Sequence, residues 1–169
     1  MSNQEHLEKH QVKLFCTGGT IDKVYFDALS EFQIGEPVAA NILKEALVKF
    51  SFEVASILKK DSLEITDEDR DMIYQQVSTE SCENILITHG TDTMINTAQR
   101  LSDIKDKTIV LTGAMQPARF RNTDAIFNIG YAISAAQHLP HGIYLAMNGQ
   151  IFTPDAVQKN RAAARFEVK

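Results

Sequence analysis

The chain has 169 residues, enough for one domain with a single core, and its 44% hydrophobic and 23% charged residues are ordinary for a globular protein. A net charge of −5 and a pI near 5.5 exclude the broad basic surface that nucleic-acid binding requires, so no nucleic-acid partner is expected. The polar opening MSNQEHLEKHQ has no apolar run suited to a signal peptide, and no stretch approaches ~20 consecutive apolar residues. A cytoplasmic protein with no membrane association is therefore expected, residues 1–11 forming a flexible polar tail.

In chain order, the first strand-like run covers residues 12–16 and leads into Thr17-Gly18-Gly19-Thr20-Ile21. Two glycines let a backbone turn sharply and approach a ligand closely. By itself this segment reads equally well as an ordinary turn, and it lacks the lysine of a phosphate-cradling loop. Pro37 suits a first helical position, with Ile42, Leu43, Ala46, Leu47 and Phe50 recurring on one face. A second strand is expected over residues 54–58. Thr66 with Asp69 then forms a capping box ahead of Met72, Ile73 and Val77.

The third run, residues 85–88, ends in Thr88-His89-Gly90-Thr91-Asp92-Thr93-Met94. Helix capping explains one polar residue there, not four, so the cluster reads as a site. His89 reads as a structural residue of the turn, because no Ser or Cys nucleophile accompanies it. The fourth run, residues 109–112, is followed by Gly113-Ala114-Met115-Gln116-Pro117, which either lines a pocket or simply ends the strand. Arg119 and Arg121 form a short basic knot that reads as a loop, solvated or pinned by acidic partners. A helix after Asn122 carries Ile126, Ile129, Ile133 and Ala136 to Pro140, and a fifth strand covers residues 143–147. Lys159 follows in a polar stretch that on its own reads as surface. Cys16 and Cys82 lack metal or disulfide spacing and read as reduced structural thiols, and no metal site is expected.

Strands alternating with helices predict an α/β fold: a three-layer, open, mainly parallel sheet with helices on both faces, in one domain spanning 1–169. Ligands then bind beyond the carboxyl ends of the strands, where the polar clusters lie.

These clusters, in this order, closely resemble the bacterial-type L-asparaginase family. TGGTI (17–21), THGTDTM (88–94) and TGAMQP (112–117) are similar to three of its characteristic segments, and RNTDAIFNIGYA (121–132) to a fourth. The resemblance implies an amidohydrolase that cleaves the side-chain amide of L-asparagine through a threonine acyl-enzyme, with weaker action on L-glutamine and no cofactor. Residue by residue, it implies Thr20 as nucleophile, Thr91, Asp92 and Lys159 as its activating network, and Tyr25 as a hydrogen-bond partner of the nucleophile. Ser62 then binds the substrate α-carboxylate, and Gly19, Gly90 and Ala114 line the pocket.

Two departures stand out. Leu63 follows Ser62 where many members carry a glutamine that helps bind the α-amino group. The chain also resembles the N-terminal domain alone, so a short form without the C-terminal domain is expected, either natural or a fragment. The family's sites lie at subunit interfaces, which implies a homo-oligomer, dimer or tetramer. A non-catalytic amino-acid-binding module and an ammonia-releasing subunit of a larger amidotransferase are the alternative readings.

Overall fold

Strands of an α/β domain that are covered on both faces need apolar side chains on both faces, and the five apolar runs meet that need. A computed structural model describes residues 11–169, and the tail expected over 1–11 lies, apart from Gln11, outside the described residues. The strands are β1 (Val12–Gly18), β2 (Lys23–Phe26), β3 (Glu31–Ile34), β4 (Phe52–Lys60), β5 (Asn84–Thr88), β6 (Thr108–Thr112), β7 (Gly142–Met147), β8 (Gln150–Phe152), β9 (Val157–Asn160) and β10 (Arg165–Val168). The helices are α1 (Ala39–Glu45), α2 (Asp67–Thr79), α3 (Met94–Arg100) and α4 (Ala125–His138). All five expected strands are present. The β2–β3 and β9–β10 hairpins and the edge strand β8 carry no comparable apolar run and were not foreseen.

The main sheet has the order β4-β1-β5-β6-β7-β8, parallel except for the last pair. Leu14, Cys16, Leu86, Val110 and Ala146 face one core with α1 and α4. Phe15, Ile87, Ile109, Leu111 and Leu145 face the other with α2, α3 and the buried Phe166 of β10. The chain leaves β1 for β4 on one side and then crosses back to β5 on the other. The strand order therefore reverses between β1 and β5, which is where an open parallel sheet splays its loops and leaves a crevice for a ligand.

The Thr66 capping box forms as expected: Thr66 Oγ1 accepts from the Asp69 N–H at 3.2 Å, and Asp69 Oδ2 accepts from the Thr66 N–H at 2.9 Å. Two expected apolar faces are corrected. α1 ends at Glu45, and Leu47 adopts a left-handed φ of 54°, so the chain turns away and leaves Ala46 and Leu47 exposed. Pro37 precedes Val38, the N-cap of α1, rather than opening the helix. In α4 the buried stripe is centred on Ala125, Ile129, Ala132 and Ala136, and its three alanines let the helix lie close to the sheet. Ile126 is consequently exposed, as is Phe127, whose ring stacks on Tyr131.

The β2–β3 hairpin is tied down by Asp22. Its carboxylate accepts from the Val38 N–H at 3.0 Å, and its carbonyl accepts from the Gly35 N–H at 2.8 Å and from Arg119 Nη1 at 3.2 Å. Arg119 is thus pinned, by the backbone carbonyls of Asp22 and Glu36 and by the charge of the Asp22 carboxylate. Burial pushes the Asp22 carboxyl up from 3.8 to about 6, against the opposing pull of the Val38 N–H and Arg119. A folded-state value above the unfolded one means the folded chain binds more protons between pH 4 and 6. Stability is then lost as pH rises through that window, by about 3 kcal/mol in full. Asp22→Asn keeps an acceptor for Val38 and removes the buried charge. Urea titrations should show it more stable than wild type at pH 8 and no more stable at pH 4; an equal or lower stability at pH 8 contradicts this account.

Candidate active site

Four loops leave the carboxyl edge around the crevice, and their backbones touch. Thr17 Oγ1 donates to the Thr88 carbonyl at 2.8 Å, locking the loop after β1 to the end of β5. Gly19 has a left-handed φ of 87°, and a Cβ there would lie 2.5 Å from the Gly90 nitrogen. A Cβ on Gly90 would in turn meet Ser62 Cβ at 2.6 Å. Only glycines allow this approach. Thr20 and Thr91, each the next residue along, are thereby brought to one crevice, Thr20 half-buried and Thr91 buried.

The lysine arrives from far along the chain. Val157 and Phe166 are buried and anchor the β9–β10 hairpin, which carries Lys159 paired opposite Phe166. Lys159 Nζ donates to Thr91 Oγ1 at 2.8 Å and to Asp92 Oδ1 at 2.7 Å. An amine held against a hydroxyl and a carboxylate is suited to proton transfer, and the carboxylate fixes its position. Arg161 Nη2 lies 3.4 Å from the same Asp92 Oδ1.

Ser62 sits in a short 3-10 turn after β4 and is 1% exposed. Its Oγ accepts from the Asp92 N–H at 3.1 Å and its carbonyl accepts from Thr93 Oγ1 at 2.7 Å. Ser62, Gly90, Thr91, Asp92 and Lys159 thus form one connected set, with Gly19 against it. Tyr25 is not joined to it by a hydrogen bond. It lies on β2, half exposed, with its ring 5.2 Å from that of Phe32.

His89 is fully buried. Its Nδ1–H donates to the Gly90 carbonyl at 2.7 Å while Nε2 accepts from Thr97 Oγ1 at 2.8 Å, an assignment set by the partners. Burial pushes the imidazole down to about 4, so it shapes the turn as a neutral ring. Cys16 is likewise buried, its thiol pushed up to about 12 by desolvation, which suits a structural role.

Ala114 is buried in the loop after β6, and the residues that shape that loop were not foreseen. Asp124 accepts from the Met115 N–H at 2.9 Å and the Gln116 N–H at 3.0 Å, and Asn128 Nδ2 donates to the Gly113 carbonyl at 2.9 Å. Their i, i+4 spacing at a helix start was the available signal. A cavity of about 420 Å³, bordered by Gln99, Lys105, His141 and Asp155, lies near the start of β7, at the opposite edge of the sheet. Among the described residues, no group of three or more His, Cys, Asp or Glu is placed to hold a metal ion, and no helix is long and apolar enough to cross a membrane.

The glycine contacts make a stability prediction. Gly19→Ala forces a Cβ onto backbone at a left-handed φ, and should cost about 1–3 kcal/mol in denaturant unfolding. Gly130→Ala, in α4 with nothing within 4 Å of the new Cβ, should instead stabilise by about 0.5–1 kcal/mol. Equal effects at the two positions contradict the loop-contact account.

Comparison with known proteins identifies the family. A family model described as asparaginase, N-terminal, matches residues 11–167. The chain is 31% identical over 168 residues to a glutaminase-asparaginase of Acinetobacter glutaminasificans, covering 89% of this chain and 50% of that protein. It is 30% identical over 161 residues to a glutamyl-tRNA(Gln) amidotransferase subunit of Methanococcus vannielii, covering 86% and 37% respectively. The solved thermostable L-asparaginase of Thermococcus kodakarensis superposes with a TM-score of 0.80 at 30% identity, covering 93% of this chain and 50% of that one. The chain thus spans half or less of the length of these relatives. With this sheet order, these threonine loops and a match over nearly its whole length, the chain belongs to the asparaginase family and corresponds to its N-terminal domain.

Proposed function

We propose that the protein hydrolyses the side-chain amide of L-asparagine, or of a close analogue, to a carboxylate and ammonia through an ester on Thr20. The observation that carries this reading is Lys159 Nζ, within 2.8 Å of Thr91 Oγ1 and 2.7 Å of Asp92 Oδ1 beside the Thr20 loop. Binding alone requires no amine held between a hydroxyl and a carboxylate.

The Thr20 hydroxyl attacks the amide carbonyl carbon, forming a C–O bond and a tetrahedral oxyanion that backbone N–H groups of the crevice stabilise. The C–N bond then breaks. The Thr91–Lys159 pair moves the hydroxyl proton to the departing nitrogen, which leaves as ammonia. Water then attacks the ester, the pair takes its proton, and the Thr20 oxygen departs with a proton restored. The sum is amide plus water to carboxylate plus ammonium. L-Glutamine is longer by one methylene, a difference worth about 1–3 kcal/mol in a pocket, so it is the weaker substrate of this reading.

The likeness to an amidotransferase component favours a second reading, in which the same threonine chemistry delivers ammonia to a partner protein. Self-association belongs to the first reading, supported by the exposed Ile126 and Phe127 on the uncharged outer turn of α4. Activity of the purified chain on free amide separates the two.

Steady-state ammonia release tests the roles. Thr20→Ala should lower kcat by about 10³-fold or more, and Lys159→Met by about 10²–10⁴-fold, each with the far-ultraviolet spectrum unchanged. Turnover that survives Thr20→Ala contradicts the nucleophile assignment.

A further inference from the structure

A primary amide offers two N–H donors beside its carbonyl, and its nitrogen has to be held in place while it changes from a planar amide to a leaving ammonia. A backbone carbonyl serves as the acceptor for those donors when its own peptide is fixed. The loop after β6 carries such a peptide, between Ala114 and Met115.

That loop is attached to both threonine loops. At one end a Cβ on Gly113 would lie 2.3 Å from the His89 carbonyl oxygen, so its backbone lies against the turn that leads to Thr91. At the other end the Ala118 N–H donates at 3.0 Å to the carbonyl of Ile21, the residue after Thr20. Ala114 and Met115 lie between these attachments, where the chain crosses the edge of the sheet: Ala114 packs on the α4 face and Met115 on the opposite one.

The start of α4 sets the orientation of the peptide. Asp124 accepts from the Met115 N–H through both carboxylate oxygens, at 3.1 and 2.9 Å, and from the Gln116 N–H at 3.0 Å. Asn128 Nδ2 donates to Asp124 Oδ2 at 3.0 Å and to the Gly113 carbonyl at 2.9 Å, tying the carboxylate to the preceding peptide. In a trans peptide the N–H and C=O point in opposite directions. With the Met115 N–H aimed at Asp124, the Ala114 carbonyl is aimed away from α4, toward the face where the hairpin of Lys159 is anchored by Phe166. Among the described residues, no backbone N–H donates to that carbonyl.

We propose that Asp124 is a positioning residue for the leaving group: it fixes the Ala114–Met115 peptide so that the Ala114 carbonyl accepts an N–H of the substrate amide and then of the departing ammonia. Held by that N–H, the nitrogen keeps its lone pair free for the proton that the Thr91–Lys159 pair delivers. The bonds made and broken are those of the hydrolytic step: the C–O bond to Thr20 forms, the C–N bond breaks, and the proton taken from the Thr20 hydroxyl leaves on nitrogen. An ester has no N–H on its leaving group, so the carbonyl contributes nothing to its cleavage. This inference rests on the hydrolase reading.

The test compares kcat/KM for L-asparagine and for L-aspartic acid β-methyl ester, which yield the same ester on Thr20, by ammonia and methanol release. The variants are Asp124→Asn, Asn128→Ala and Thr123→Val, with far-ultraviolet spectra as the check on folding. Asp124→Asn replaces a charged acceptor with a neutral one, and should lower the amide value and the amide-to-ester ratio by about tenfold. Asn128→Ala should lower the ratio in the same direction by a smaller factor, and it decides the matter should Asp124→Asn fail to fold. Thr123 Oγ1 holds the same loop by donating to the Gln116 carbonyl at 3.1 Å, without touching the Ala114–Met115 peptide, so Thr123→Val should leave the ratio unchanged. A ratio unmoved in the folded variant at Asp124, or at Asn128 in its place, overturns the proposal. So does a ratio lowered equally by Thr123→Val, the sign of a loop merely loosened. Either result, with both compounds turned over by wild type, spares the hydrolase reading. Wild type that turns over neither compound overturns that reading and this inference together.

Discussion

The site depends on one contact: the backbone of Gly19 lying against that of Gly90. It occurs where the strand order reverses, between β1 and β5, so the two loops leave the sheet side by side before diverging. Any side chain at Gly19 would overlap the Gly90 nitrogen, and any at Gly90 would overlap Ser62. The Thr17 hydroxyl bond to the Thr88 carbonyl closes the same seam from below. With the seam closed, Thr20 and Thr91 are delivered to one crevice from positions far apart in sequence, and the Ser62 turn packs over them.

The second requirement is delivery of the amine. Lys159 lies 67 residues beyond Asp92, and the hairpin that carries it is set by the packing of Phe166 and Val157 into the core and by the Phe166 N–H, which donates to Asn148 Oδ1 at 2.7 Å. Electrostatics alone would not suffice, because an exposed lysine near a carboxylate is worth little. Here the ammonium group is largely enclosed, with a side-chain exposure of 15%, and is held by two acceptors.

Much of this was legible in the sequence because doubly covered strands are unbroken apolar runs. The five parallel strands, the Thr66 cap and the polar clusters at the strand ends all follow from local pattern. The hairpins were not legible: Tyr25 and Lys159 lie on short strands of mixed polarity, whose pairing depends on distant anchors such as Asp22 and Phe166. Composition marked Lys159 as surface, and only its motif resemblance pointed to the threonines. Arg161 carried no signal at all, since its contact with Asp92 depends on the turn between β9 and β10. Asp124 and Asn128 were visible inside a quoted segment, but their work on the Gly113–Gln116 loop is tertiary. The misjudged faces of α1 and α4 show the limit of periodicity. It marks which residues share a face, not where a helix stops or how closely small residues let it approach a sheet.

On the proposed mechanism Thr20 is the residue acylated during turnover. Rapid acid quenching of the protein during incubation with a slow amide substrate, followed by peptide mass mapping, reads this directly. An acyl mass increment is expected on the peptide holding Thr20, present during turnover and absent in Thr20→Ala. An increment on Thr91, with Thr20 unmodified, would contradict it.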